Sequence, residues 1–301
     1  MSSVKSPNDQ KHAYLFLVSR NSYVLEKTLK LIDDYRNDIY IHVDSKCDDW
    51  DYDKYNSCVT KSKICYTHQT DCNWAAFSLF NATMILLKNS FNDRYSYYHL
   101  MSEACMPIKS QDEIHNELSN SSSDYIYIEK ESNFDVQKWS KYYYLLTETP
   151  LYRTSNIVKG LSRIAFLLPQ RILKINRWKN EKNINGDKIK AVWGWQWFSL
   201  TSRTVQLIIS KEEFIKKHFK KTHCPDETCI PTILYNFTDM SSVKPSKRNI
   251  IFDGKPSIIT MDDYERLMNS DDFFARKFDE ATDKAIIDKI YERIMAKQNE
   301  K

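Results

Sequence analysis

Strand and helix signals alternate along the first 128 residues, which restricts the chain to a mostly parallel α/β sheet flanked by helices. Ala13–Val18 is a continuous apolar run of the length a buried strand needs. From Ser22 to Tyr35 the apolar residues Val24, Leu25, Leu29, Leu31 and Ile32 recur at helical spacing, behind a serine suited to cap the first turn. Strand patterns return at 38–43, 63–66, 95–101 and 124–128, and helix patterns fall between them at 75–88 and 111–118. Residues 134–190 differ: they read as a helical insertion rich in cations, with an Asn/Lys-rich loop around 180–186. A strand at 192–200 and helices to about 236 follow, and 279–301 reads as a charged C-terminal helix. Residues 1–11 form a polar tail. No linker or repeat divides the rest, so 1–301 is expected to be a single domain.

Four glycines occur in 301 residues, where average usage would give roughly twenty. No two have the spacing of G-x-G-x-x-G or of a P-loop, so a glycine-cradled dinucleotide or triphosphate site is excluded. The 44 bases and 40 acids leave a net charge of +4, too balanced for an electrostatic nucleic-acid coat, and no nucleic-acid partner is expected. Aromatics at 13% either fill a core or wall a large pocket, and composition leaves both open. Seven cysteines, an odd number, behind a polar N-terminus are expected to be free thiols in a reducing cytoplasm. The sequons at Asn81, Asn120 and Asn236 are then chance matches.

Five constellations carry chemistry. Cys224-Pro225-Asp226-Glu227 has the form of a helix start. Its acids either complement the helix dipole, or Glu227, kept ionised there, takes a proton from an attacking hydroxyl. Arg276-Lys277, with Lys244, Lys247, Arg248 and Lys255 upstream, is either a solvated face or a set of cations for a diphosphate leaving group. Asp44 ends a strand, where ligands of open α/β sheets sit. Asp49-Trp50-Asp51 and Asp51-Tyr52-Asp53 spell a D-x-D metal motif, but they lie in a hydrophilic loop and read as solvated acids. Cys65-x₂-His68-x₃-Cys72 lacks a knuckle to complete a zinc site even if Cys58 is added.

Six segments, in order from His12 to Asp279, resemble the Core-2/I-branching family of β-1,6-N-acetylglucosaminyltransferases, which includes the peptide O-xylosyltransferases. They are His12–Val18, Tyr40–Lys46, Tyr97–Ser102 with Pro107–Ser110, Gly194–Phe198 with Ser199 to Arg203, Cys224–Glu227 and Phe274–Asp279. The chain is similar to a short bacterial member. The resemblance implies a GT-A-like fold and inverting transfer from a UDP-sugar, with no cofactor and no metal. It places the catalytic base on Glu227 and the uridine contact on Asp44, with Val18 beside the donor. The cations that meet the diphosphate fall on Lys277 and Arg276, with Lys255 the nearest candidate for a further one upstream. Glu129, Lys138, Trp195 and Trp197 are expected on the acceptor side. The donor sugar is expected to be N-acetylglucosamine, with xylose the alternative, and the acceptor a glycan or lipid-linked oligosaccharide. Where the family often has Ser-Gly-x-Asp, this chain has Ser102-Glu103-Ala104-Cys105. Two other functions compete: a metal-dependent enzyme working through Asp49 and Asp51, and a glycan-binding module resting on the tryptophans and the basic stretch at 153–190. That stretch combines cations with the apolar residues of 157–178, so it either packs on the α/β frame with its cations solvated or makes weak peripheral contact with the inner face of a membrane.

Overall fold

The computed structural model describes residues 10–129, 136–149, 152, 155–175, 181–184, 186–252 and 256–300. β1 (Lys11–Val18) and β2 (Asn37–Val43) bury nearly every side chain on both faces, which is why they read as runs rather than alternations. β3 (Lys63–Tyr66) and β4 (Tyr95–Ser102) run parallel to them. Next come β5 (Met106–Pro107), β6 (Asp124–Glu129), a hairpin of β7 (Glu181–Ile184) and β8 (Asp187–Lys190), and β9 (Trp193–Thr201). β10 (Val243–Lys244), β11 (Arg248–Ile250) and β12 (Phe274–Arg276) complete the strands among the described residues.

The main sheet has seven strands in the order β10-β6-β9-β4-β1-β2-β3. It is mixed but mostly parallel, because β9 runs antiparallel to both its neighbours, β4 and β6. Phe80, Leu87, Val205, Ile208 and Ile233, from the helices Phe77–Ser90, Ser202–Ser210 and Cys229–Phe237, pack on one face. Leu25, Leu29, Ile114 and Leu118, from Tyr23–Leu31 and Gln111–Ser119, cover the other. Ser22 caps the first of these and Ser110 with Glu113 closes a capping box on the second, so both helix starts satisfy their leading N–H groups. A small sheet, β11-β12-β5, lies under the C-terminal helix Lys284–Asn299, whose Ile286, Ile287, Ile290 and Ile294 pack with Met106 and Ala275.

Two expected boundaries change. Among the described residues of 134–190, Val136–Lys141 and residues 156–172 are extended helix, and the end is the β7–β8 hairpin. Its turn places Gly186 at φ +95°, a conformation open to glycine at no steric cost, and its polar strands carry no apolar alternation to betray them. The last helix starts at Lys284 because Asp283 caps it, while Asp279 instead bonds Arg20 and Thr282.

Three histidines sit inside this frame. His12 stacks on His115 at 3.9 Å and lies 3.2 Å from the ring nitrogen of His99. Burial, then the neighbouring rings and Arg36, holds His12 well below its ordinary value. Burial, then Arg36, brings His115 down to about 4. The unfolded chain protonates these rings near 6.5, so it binds more protons than the fold between 6.5 and 4. Their contribution to stability is full above 6.5 and lost on acidification. His115→Gln can still donate to Asn37, which His115 Nε2 meets at 2.9 Å. The variant is expected to flatten the pH dependence of the unfolding free energy in urea by about one proton, ~1.4 kcal/mol per pH unit. Parallel curves for variant and wild type between pH 6.5 and 4 would remove His115 from the acid response.

Candidate active site

The parallel direction of β1, β2 and β4 brings their C-terminal ends to one edge, where they open on a cavity of about 260 Å³. Val18 and Asp44 line it, joined by the Asp44 N–H to the Val18 carbonyl at 2.8 Å. The Asp44 carboxylate accepts the Lys46 N–H at 3.0 Å, which fixes its rotamer at the strand end. Glu103, in the turn after β4 where the expected glycine and aspartate are missing, also lines the cavity and accepts the Ser19 hydroxyl at 2.8 Å. Arg276 and Lys277 reach the same cavity from the end of β12. Lys255 lies outside the described residues. Two other cations weighed for the diphosphate are engaged elsewhere. Lys247 pairs with Glu117 at 2.7 Å, and Arg248 is buried, donating to the Phe198 carbonyl at 2.5 Å and stacking on Phe274.

Pro225–Glu227 is not the first turn of a long helix but a separate 3₁₀ turn, ahead of Cys229–Phe237. Cys224, at φ +45°, leads into it and donates its N–H to the carbonyl of Ala75, itself at φ +61°. A glycine-poor chain thus holds two non-glycine residues in the left-handed region beside its candidate base. The helix dipole does not hold Glu227 at an ordinary carboxylate value. Burial pushes its pKa up, opposed by the Trp193 indole N–H, 2.8 Å from Oε2, and by Arg276. Burial, then the Glu227 charge, pushes Asp226 up as well, and its Oδ1 has no hydrogen-bond partner. Two adjacent carboxyls, one buried and one half-buried, cannot both ionise cheaply. Trp193 and Arg276 favour the charge on Glu227, and burial favours the proton on Asp226.

Glu227 opens into a second cavity of about 480 Å³. Five of the seven tryptophans, Trp74, Trp139, Trp193, Trp195 and Trp197, line it. The aromatic surplus therefore serves both uses: tyrosines such as Tyr14, Tyr97 and Tyr98 are core, and the tryptophans are mostly wall. Trp195 stacks on Tyr127 at 4.7 Å, and Trp197 lies under the Arg276 guanidinium at 4.0 Å. Gln196, Trp197 and Arg276 line both cavities. The buried Gln196 Nε2 has no partner, and burial lowers the Arg276 pKa. The structure thus brings Glu227, Trp195, Trp197 and Arg276 together, with Lys277, Asp44 and Val18 across the shared wall. Glu129 ends β6 opposite Trp193, where its carboxylate accepts the Tyr127 hydroxyl at 2.6 Å, and it lines neither cavity. Lys138 lies in Val136–Lys141, with its side chain outside the described residues.

Trp193, Gln196, Glu103 and His223 have no counterpart among the sequence candidates. Only the tryptophan density of 193–197 points toward the first two. His223 is boxed by Trp74, Trp139, Tyr144 and Tyr152, and burial alone brings it to about 4. Asp49 and Asp51 line neither cavity: Asp49 accepts the Cys47 thiol, and Asp51 caps Tyr52–Asn56 through the Lys54 N–H. All seven cysteines are free, and among the described residues no three His, Cys, Asp or Glu side chains are grouped to hold a metal.

An aromatic cavity bearing a carboxylate thus shares a wall with a cavity at the strand ends of a mostly parallel sheet, where two acids, Asp44 and Glu103, meet two bases, Arg276 and Lys277. The chain belongs to the Core-2/I-branching enzyme family, whose model matches residues 12–257. That family consists of glycosyltransferases, and membership implies a nucleotide-sugar donor and a glycan acceptor. No curated protein matches the sequence. Among solved structures, the chain is similar to 4-diphosphocytidyl-2C-methyl-D-erythritol synthase from Anaerococcus prevotii, at 12% identity and a TM-score of 0.38, covering 79% of this chain and 87% of that one. It is also similar to the apo form of mouse xyloside xylosyltransferase 1, at 8% identity and a TM-score of 0.37, covering 88% and 96% respectively.

Proposed function

We propose that this protein is an inverting glycosyltransferase that moves N-acetylglucosamine from UDP-N-acetylglucosamine to a hydroxyl of a glycan acceptor without a divalent metal. The observation that carries it is the shared wall: Glu227 stands on one side of Gln196, Trp197 and Arg276, and Lys277 and Asp44 on the other. The acceptor sugar stacks on the tryptophans and gives its hydroxyl proton to the Glu227 carboxylate. Its oxygen attacks the anomeric carbon as the bond from that carbon to the β-phosphate oxygen breaks. UDP departs with the electron pair, and its growing charge is met by Lys277 and Arg276, the part a metal plays elsewhere. The raised pKa of Glu227 makes it a stronger base than an exposed glutamate. UDP release measured with UDP-N-acetylglucosamine and UDP-xylose, each with excess EDTA, tests donor and metal together. Release only with xylose changes the donor, and loss in EDTA that added metal restores overturns metal independence.

Lys277→Ala is expected to weaken UDP binding and slow turnover, since one group facing a developing charge contributes ~3–4 kcal/mol to the barrier. Lys277→Arg should keep part of both. Equal UDP affinity by calorimetry for Lys277→Ala and wild type would remove it from the diphosphate.

A further inference from the structure

A surface helix ordinarily turns its apolar stripe inward. Residues 156–172 leave one such row outside. Ile157, Leu161, Ile164, Leu168 and Ile172 follow one another at steps of four, three, four and four, and their exposures run from 48% to 76%. The inward side is mixed: Ser162 and Gln170 are buried, and Val158, Phe166 and Leu167 are half-buried. Gln170 clamps the segment to the protein, accepting the Tyr143 N–H at 2.8 Å and donating to the Tyr143 carbonyl at 3.0 Å. The clamp ties down the Gln170 side and leaves this apolar row outward. The charge around it is one-sided. In a chain with 40 acids, none falls between Glu148 and Glu181, an interval that holds seven lysines and arginines. Of these, Arg163, Arg171 and Lys174 are exposed beside the row.

We propose that this face docks the protein on an anionic lipid bilayer, lying in the interface without crossing it. Among the described residues no helix is long and apolar enough to span a membrane. An exposed apolar row edged by cations suits the headgroup boundary, where each lysine or arginine contributes roughly a five-fold gain in partition. A second copy of the chain fits worse, because a two-fold contact would set this cationic face against itself. Ile164, Leu167 and Leu168 of the segment also wall a cavity of about 580 Å³ that shares Trp139 and His223 with the Glu227 cavity. A bilayer-borne acceptor would therefore approach Glu227 from this side. That last step rests on the proposed role of Glu227, whereas the docking does not.

The test is co-flotation of the full chain with phosphatidylcholine vesicles containing or lacking 30% phosphatidylglycerol, in low and high salt. Binding is expected to anionic vesicles at low salt and to fall at least ten-fold in high salt. A variant with Ile157→Gln, Leu161→Gln and Ile172→Gln, three exposed positions away from both cavities, is expected to lose at least ten-fold in partition. Its UDP release with a water-soluble acceptor should stay at the wild-type level. Protein that stays unbound at low salt, or a variant that binds as well as wild type, overturns the proposal. So does a wild-type dimer in sedimentation that the variant dissociates, since this face is then a contact between copies. Failure of vesicle binding with transfer intact separates the loss of this proposal from that of the catalytic one.

Discussion

Glu227→Gln is expected to lower glycosyl transfer by ~10²–10⁴ while leaving UDP affinity unchanged, because a general base contributes about that factor and an amide cannot take the proton. The amide oxygen can still accept the Trp193 indole N–H, so the site should keep its shape. Asp226→Asn is the informative partner. If Asp226 already carries the proton, asparagine keeps its neutral form, and turnover should stay within a few-fold of wild type. Equal losses in the two variants would reverse or divide the roles. The pH profile gives a second readout. The base must be ionised to act, and burial raises its pKa. Turnover should therefore fall on acidification at a pH above the ordinary glutamate value of about 4.3. Near-wild-type transfer by purified Glu227→Gln, or an acid limb at the ordinary value, removes Glu227 from the mechanism.

The sequence carries this site unevenly, for physical reasons. Buried parallel strands need apolar residues on both faces, so β1 and β2 stand out as runs, and Asp44 stands out because it ends one. Pro225-Asp226-Glu227 and Arg276-Lys277 are legible because each is a contiguous segment. What pairs them is not local. Trp193 lies 34 residues from Glu227, and no spacing rule links an indole on β9 to a carboxylate in a 3₁₀ turn. Nor does periodicity show that β9 inserts antiparallel between β4 and β6, which lifts Trp193, Trp195 and Trp197 to the wall of the site. The Arg248 guanidinium looks like a diphosphate partner from its charge, yet it is spent on main-chain carbonyls inside the frame. The segment 156–172 has the helical spacing expected of it, but spacing does not say which face looks out, and here the Gln170 clamp decides.

The glycine count returns at one position with a large expected effect. A Cβ on Gly194 would lie 2.2 Å from the Tyr127 carbonyl and 2.8 Å from Pro231 Cγ. The nearer contact is main chain of β6, and the other belongs to the helix Cys229–Phe237, so no rotamer change relieves either. Gly194 pairs with Ile128, and its neighbour Trp193 holds the Glu227 carboxylate. Gly194→Ala must therefore push apart the strand and the helix that position the candidate base. Overpacking of this kind costs ~1–3 kcal/mol and more where backbone has to move, so a loss of about 3 kcal/mol in urea unfolding is expected. Transfer should fall further than the fraction unfolded explains, because Trp193 and Glu227 no longer meet at their native separation. Gly160→Ala is the control. A Cβ there meets nothing within 4 Å, and the residue sits inside the helix Asn156–Ser162. Relief of glycine's entropy in a helix should make that variant more stable by about 0.5–1 kcal/mol. If Gly194→Ala unfolds and turns over like wild type, the close approach of β9 to β6 is not what sets Trp193 against Glu227, and the site's geometry must be held from the Cys224 side instead.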